Sequence, residues 1–138
     1  MIGPKVAAPT PAEERRAYAL VTERDKGLCQ RCLRARGDNR DHRLNRSQGG
    51  RTVPSNLQLL CGSGTTGCHG WRTENLRAAL EDGWRVPAGQ DPHEWPARRW
   101  LRTEVGTLRA SFVLYDDEGG WREISADEAR RRMEGGNG

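Results

Sequence analysis

Apolar positions along the chain fall into short groups separated by long polar stretches. Thr10-Pro11-Ala12-Glu13 combines an N-cap threonine, proline at the first helical position and glutamate at the third, the signature of a capping box. Ala17, Leu20 and Val21, with Leu28 beyond them, recur at helical spacing, so the pattern predicts a helix over about 11–26, ended by Gly27. From Gly27 to Asn56 the chain is dense in Arg, Gly and Asn, and only Asp41–Leu44 and Leu57–Leu60 offer short strands. A second helix is predicted over about Trp71–Asp82, with Leu76 and Leu80 on one face and Gly83 as its stop. Trp84 to Trp100 is a stretch containing proline and tryptophan. Ala110–Ile124 then reads as a β-hairpin: Phe112–Tyr115, a turn at Asp116–Gly120, and Trp121–Ile124. Ser125-Ala126-Asp127-Glu128 is a second capping box, opening a short final helix before the glycine-rich end at Gly135–Gly138. No internal repeat is present.

Composition sharpens this picture. Leu, Val, Ile and Phe together number 21 of 138 residues, below the fifth or so that ordinary folded chains carry. The net charge is only +4 and five Trp replace part of the missing bulk, so one small domain is expected, held by something besides an apolar core. Charge is uneven: residues 1–60 carry 12 basic and six acidic side chains, residues 61–138 carry 11 and 13. A basic half suits a polyanionic partner or a solvated surface, and charge alone leaves both open. No run of about 18 apolar residues exists to cross a membrane. Met1 to Pro11 has no apolar segment of a secretory signal, which sets the expectation of a cytoplasmic, reducing location.

Four cysteines are the candidate staple. Cys29-Gln30-Arg31-Cys32 is a C-x2-C knuckle, and Cys61 and Cys68 form a second pair spanning Gly62-Ser63-Gly64-Thr65-Thr66-Gly67. Two such pairs about 30 residues apart suit a tetrahedral structural zinc site. Two disulfides or unrelated free thiols are the alternatives, and the reducing location disfavours the first.

Between the pairs lie Asp41-His42-Arg43-Leu44-Asn45-Arg46-Ser47-Gln48-Gly49-Gly50 and Ser55-Asn56-Leu57-Gln58-Leu59-Leu60-Cys61, followed by Cys68-His69. This arrangement resembles the HNH endonucleases of the ββα-metal (His-Me finger) fold. It is most similar to small HNH proteins of actinobacterial tailed phages and prophages, with His42, Asn56 and His69 in the motif positions. The resemblance covers about residues 29–84. It implies an α+β fold: a ββα-metal nuclease core held by a four-cysteine zinc site, with the N-terminal helix and the C-terminal hairpin as additions. The corresponding layout is a flexible 1–10, a nuclease domain over 11–84, an extension over 85–133 and a disordered 134–138.

The residue types suit phosphodiester hydrolysis, which needs a deprotonated water, a cation on the phosphate and help for the leaving oxygen. His42 can accept a proton near neutral pH. Asp41 and His69 can hold a divalent ion, Mg²⁺ or Mn²⁺ with Ni²⁺ or Zn²⁺ also admissible. The resemblance assigns Asn56 to bracing the loop and orienting His42. Cys68 and His69 are neighbours, so Cys68 is assigned to structural zinc and His69 to the catalytic ion. Asp41 and His42 are also neighbours and would face opposite ways in a regular strand, so a strand end or bulge is required there. The second cysteine pair is wider than the C-x2-C common among relatives, and Thr73 stands where some carry a further metal-binding His or Asn.

Arg40, Arg43, Arg46 and Arg51 are candidate phosphate contacts, with a solvated loop as the other reading. His93 lies outside the motif and is expected to be structural or exposed, and Trp84, Trp95, Trp100 and Trp121 are expected in the core rather than as base-stacking platforms. DNA is the expected partner, and the resemblance adds the terminase large subunit of a phage packaging machine. A zinc-ribbon-like DNA-binding module without turnover is the competing reading, which Asp41, His42 and His69 argue against.

Overall fold

In the computed structural model, which describes residues 7–137, the predicted capping box opens helix α1 (Pro11–Asp25). The Glu13 N–H donates to the Thr10 hydroxyl at 3.1 Å, and the Thr10 N–H donates to the Glu13 carboxylate at 2.8 Å. Lys26 and Gly27, both at positive φ, end the helix by returning their N–H groups to Glu23 and Thr22. Ala17 and Val21 bury against Leu57 and Leu59, with Tyr18 at the edge. Leu28 does not extend this stripe: it lies past the helix and is 40% exposed.

Strand β1 (Asn39–His42) pairs antiparallel with β2 (Leu57–Leu60), in a register that sets Asp41 opposite Gln58 and His42 opposite Leu57. The first strand stands two residues earlier than the predicted Asp41–Leu44, because the chain turns at Arg43, whose N–H reaches the Asn56 carbonyl. Helix α2 (Gly67–Glu74) follows β2 and completes a ββα unit. The single helix predicted over Trp71–Asp82 is two: α2 stops at Asn75, whose side chain caps the Trp71 carbonyl at 2.9 Å, and α3 (Leu76–Glu81) restarts beyond it. Leu76 is therefore exposed, and Ala79 is the buried residue of α3.

The extension is larger than a hairpin. Strands β3 (Ala97–Arg102), β4 (Leu108–Tyr115) and β5 (Trp121–Ile124) form an antiparallel sheet in that order. β3 begins within the proline- and tryptophan-containing stretch, for which no element was expected, and its inward residues Ala97 and Leu101 pack with Val113 and Tyr115. Helix α4 (Ala126–Asn137) is capped by the Ser125 hydroxyl, which accepts from the Glu128 N–H at 3.0 Å. Ala129 seats α4 on Leu114 and Ile124. The helix runs over residues 134–137, expected to be a disordered tail; residues 1–6 of the expected flexible start, and Gly138, lie outside the described residues. Among the described residues, no helix is long and apolar enough to cross a membrane.

Guanidinium groups occupy much of the interior. Arg43 is fully buried and donates to the carbonyls of Gly83, Ser55, Pro92, Trp95 and Pro96. It is thus a cross-link between the two halves of the chain and not the phosphate contact expected. Burial lowers its pKa to about 10, which still leaves it charged at neutral pH. Arg24 and Arg99 both engage the buried Asp25, and Arg99 also reaches Tyr115, so α1 is tied to the three-stranded sheet. Trp84 and Trp95 lie in the core as expected, Trp100 is half-buried, and Trp121 is 40% exposed.

His93 joins three segments. Its Nδ1 lies 2.9 Å from Asp91 and its Nε2 2.7 Å from Asp117, which in turn accepts the Ser55 N–H at 3.0 Å. Partial burial opposes its charge, but the bonds to Asp91 and Asp117 outweigh this and raise its pKa. A raised histidine stabilises fully below its unfolded value of about 6.5, and that contribution fades as pH rises through the folded value. His93→Gln should accordingly lower the melting temperature most near the acid side of neutrality, with the difference from wild type shrinking in alkaline buffer. A difference that stays constant in melts across this range would contradict the latch.

Candidate active site and metal centre

The four sulfurs converge. Cys29 and Cys32 sit in a turn closed by the Leu28–Arg36 bridge, Cys61 follows β2, and Cys68 lies in the first turn of α2. Their Sγ atoms all lie within 4.8 Å of one another, with Cys32 and Cys61 3.9 Å apart and no disulfide among them. Four thiolates about 2.3 Å from one zinc ion would stand about 3.8 Å apart, so the cluster fits such an ion. The Arg34 N–H points at Cys32 and the Cys68 N–H at Cys61, at 3.5 and 3.4 Å, and the Arg31 guanidinium reaches Cys68 at 3.5 Å. These donors favour thiolates. Burial pushes the Cys68 thiol up to about 12 and raises Cys29 as well, so their ionisation calls for a cation. The six-residue spacing is accommodated by glycines: at Gly67, with φ 60°, a Cβ would stand 2.7 Å from the Cys61 carbonyl oxygen.

One residue beyond Cys68, His69 faces Asp41 from the same helix turn. Asp41 Oδ2 is taken by Arg72 Nε and Gln58 Nε2, each at 2.9 Å, while Oδ1 stands 3.4 Å from His69 Nε2. The His69 Nδ1–H donates to the Gly64 carbonyl at 2.9 Å, which fixes the tautomer and leaves Nε2 with its lone pair. Two ligand atoms on an ion at about 2.1 Å would be about 3.0–3.4 Å apart, so this oxygen and nitrogen fit one divalent cation. Burial raises the Asp41 pKa, against the opposing charge of Arg72.

His42 closes β1 and lines the same cleft of about 390 Å³, because the chain leaves the strand there. Its Nε2 meets the Thr52 hydroxyl at 3.0 Å. Burial, with Arg46 and Arg72 nearby, lowers it to about 4, so the ring is neutral at pH 7. Asn56 is wholly buried: its Oδ1 accepts the Leu44 N–H at 2.8 Å, and its Nδ2 donates to Leu44 and Arg51 carbonyls at 3.1 and 2.9 Å. It thereby pins both ends of the loop that leaves His42.

Arg40 and Arg46 line this cleft, Arg40 lying 4.8 Å from the centre of the Tyr18 ring. Arg51 does not; it borders a different pocket with Glu13 and Arg16. Sequence reading missed Thr52, Gln58, Arg72 and Arg85. Arg72 had a signal, since it stands three residues after His69 on one helix face. It also donates to the His42 and Trp84 carbonyls, at 2.7 and 2.9 Å. Gln58 is directly opposite Asp41 in the ladder, which only the register shows.

Removing one sulfur should undo the domain. Cys29→Ser is expected to lose zinc and cooperative folding, because ion binding and folding are coupled in such sites; zinc analysis alongside thermal melts checks this. A variant that melts like wild type would count against the cluster as a staple.

The comparisons agree with this geometry. Residues 29–70 match the family model described as HNH endonuclease. No curated protein and no solved structure matches the chain. The matched span takes in all four cysteines, both strands of the ββα unit, and Asp41, His42, Asn56 and His69. Residues 29–70 are thus similar to the HNH endonuclease family, and they hold the four-cysteine cluster.

Proposed function

We infer that the protein is a metal-dependent endonuclease that hydrolyses phosphodiester bonds in DNA. The observation that supports this most is the 3.4 Å approach of Asp41 Oδ1 to His69 Nε2 beside a neutral His42, in a cleft edged by guanidinium groups. Asp41 and His69 would hold the ion, and two such ligands suit Mg²⁺ or Mn²⁺, with Ni²⁺ or Zn²⁺ admitted by the histidine. When bound, the ion supplies positive charge against a phosphate and the departing 3′ oxygen.

The chain's own residues do the rest. His42 accepts the proton of the attacking water, its Nε2 held by Thr52 and its Nδ1 left for the water. Asn56 holds the loop on which this ring depends. Arg40, Arg46 and Arg85 oppose phosphates along the cleft. The products are a 5′-phosphate and a 3′-hydroxyl. The resemblance to small phage HNH proteins extends the proposal to DNA packaging beside the terminase large subunit, in the cytoplasm of a bacterial host.

Supercoiled plasmid with Mg²⁺, Mn²⁺ or Ni²⁺ tests the reading. Wild type should nick, and His42→Ala should be slower by about 10² or more with DNA binding retained. If neither nicks under any metal while both bind, the chain is a zinc-ribbon-like binding module. The salt dependence of binding locates the DNA face. Arg40→Ala and Arg46→Ala should each reduce the log–log slope by about 0.9, whereas Arg51→Ala should leave it unchanged. Equal effects at all three positions would contradict this placement.

A further inference from the structure

Beside the proposed active cleft lies a second cleft of about 310 Å³, lined by Arg31, Trp71, Asp82, Trp84, Arg98 and Trp100. The two share backbone: Trp71 precedes Arg72 and Trp84 precedes Arg85, and both arginines line the first cleft. Arg31 stacks over the Trp71 ring at 3.6 Å, and Arg98 lies 5.6 Å from the centre of the Trp100 ring. Two arginine–tryptophan pairs therefore line one opening, the first from the cysteine knuckle and α2, the second from the extension.

The extension's pair sits on an edge strand. β3 pairs with β4 along one side only. Its alternation turns Ala97, Arg99 and Leu101 inward and leaves Arg98, Trp100 and Arg102 on the other face, successive side chains about 6.6 Å apart. Trp100 also borders the neighbouring groove of about 610 Å³, together with Lys26 and Arg102. The acids in this region are engaged: Asp82 lies 3.7 Å from Arg98, and Asp25 is held by Arg24 and Arg99. Arg98 is itself partnered by Asp82, so Arg31, Lys26 and Arg102 carry the positive charge left among the rings.

Duplex DNA presents phosphates but keeps the faces of its bases stacked inside. Rings alternating with guanidinium groups complement a strand whose bases are free: each base has a face to stack, and each phosphate a cation to meet. We propose that this face, from Trp71 to Arg102, binds unpaired nucleotides of the DNA strand that leaves the active cleft. The proposal builds on the reading of that cleft as DNA-facing, and it makes junctions of single- and double-stranded DNA the favoured substrate.

The test uses the zinc-loaded full chain carrying His42→Ala, so that DNA is bound and not cut. Binding of a fluorescent oligo(dT) of about 12 nucleotides is compared with that of a duplex, and tryptophan emission is followed. Oligo(dT) should quench the emission. Trp100→Ala should weaken oligo(dT) binding by about 10-fold, with duplex affinity little changed, while Trp100→Phe, which keeps a ring, should restore most of it. Arg98→Glu, at a part-exposed position, should also weaken oligo(dT) more than duplex, and it decides the matter should Trp100→Ala fail to fold. Unquenched emission, unchanged oligo(dT) affinity in these variants, or an equal loss for duplex would overturn the proposal. Plasmid nicking by the wild-type chain is measured in parallel. Absence of nicking with intact oligo(dT) selectivity would remove the enzyme and keep this site; nicking without selectivity would do the reverse.

Discussion

Four sulfur atoms brought within 4.8 Å of one another set the constraint from which the candidate active cleft follows. Cys61 stands at the end of β2 and Cys68 at the start of α2, so tying them to one centre fixes where the helix begins relative to the sheet. His69 is the next residue, and its distance from Asp41 on the paired strand is thereby set. The wide glycine turn between the two cysteines serves this geometry twice, since the Gly64 carbonyl in it also fixes the His69 tautomer. A structural centre at Cys68 and the proposed catalytic one at His69 could thus use adjacent residues without competing for an ion.

Aliphatic burial is too sparse to hold the remaining segments, and arginines substitute for it. Arg24, Arg43, Arg72 and Arg99 are all buried, and each spans elements distant in sequence. A guanidinium offers five donors in a fixed fork, so one side chain can satisfy several loop carbonyls that would otherwise be buried unpaired. Burying a charge is costly, and carboxylates offset it for three of the four: Asp25 for Arg24 and Arg99, Asp41 for Arg72. At Arg43 the compensation is five carbonyl dipoles. The Asp41–Arg72 pair has a further consequence, because it takes one carboxylate oxygen and turns the other toward His69.

Local chemistry was legible in the sequence wherever it acted alone. The capping box of α1, strand β2, the β4–β5 turn and the cysteine pairs are short-range signals, and they stand where expected. The break at Asn75 was not legible, since no glycine or proline marks it and the cause is one side chain capping its own helix. β3 was hidden by its flanking Pro96 and by arginines and tryptophans that resemble a surface loop until β4 pairs with them. Arg43 could not be told from Arg40 or Arg46, because all three sit in one basic run and only tertiary burial separates them. Asp41, His42, Asn56 and His69 were legible as types at the right spacing; Thr52 and Gln58, which hold two of them in place, depend on loop closure and register.

The proposed chemistry requires Asp41 and His69 to share one divalent ion. Electron paramagnetic resonance titration of Mn²⁺ into the zinc-loaded chain measures this directly. A single tight Mn²⁺ site per chain is expected, abolished in Asp41→Asn and in His69→Ala with zinc content unchanged. Mn²⁺ bound equally well by both variants would contradict it.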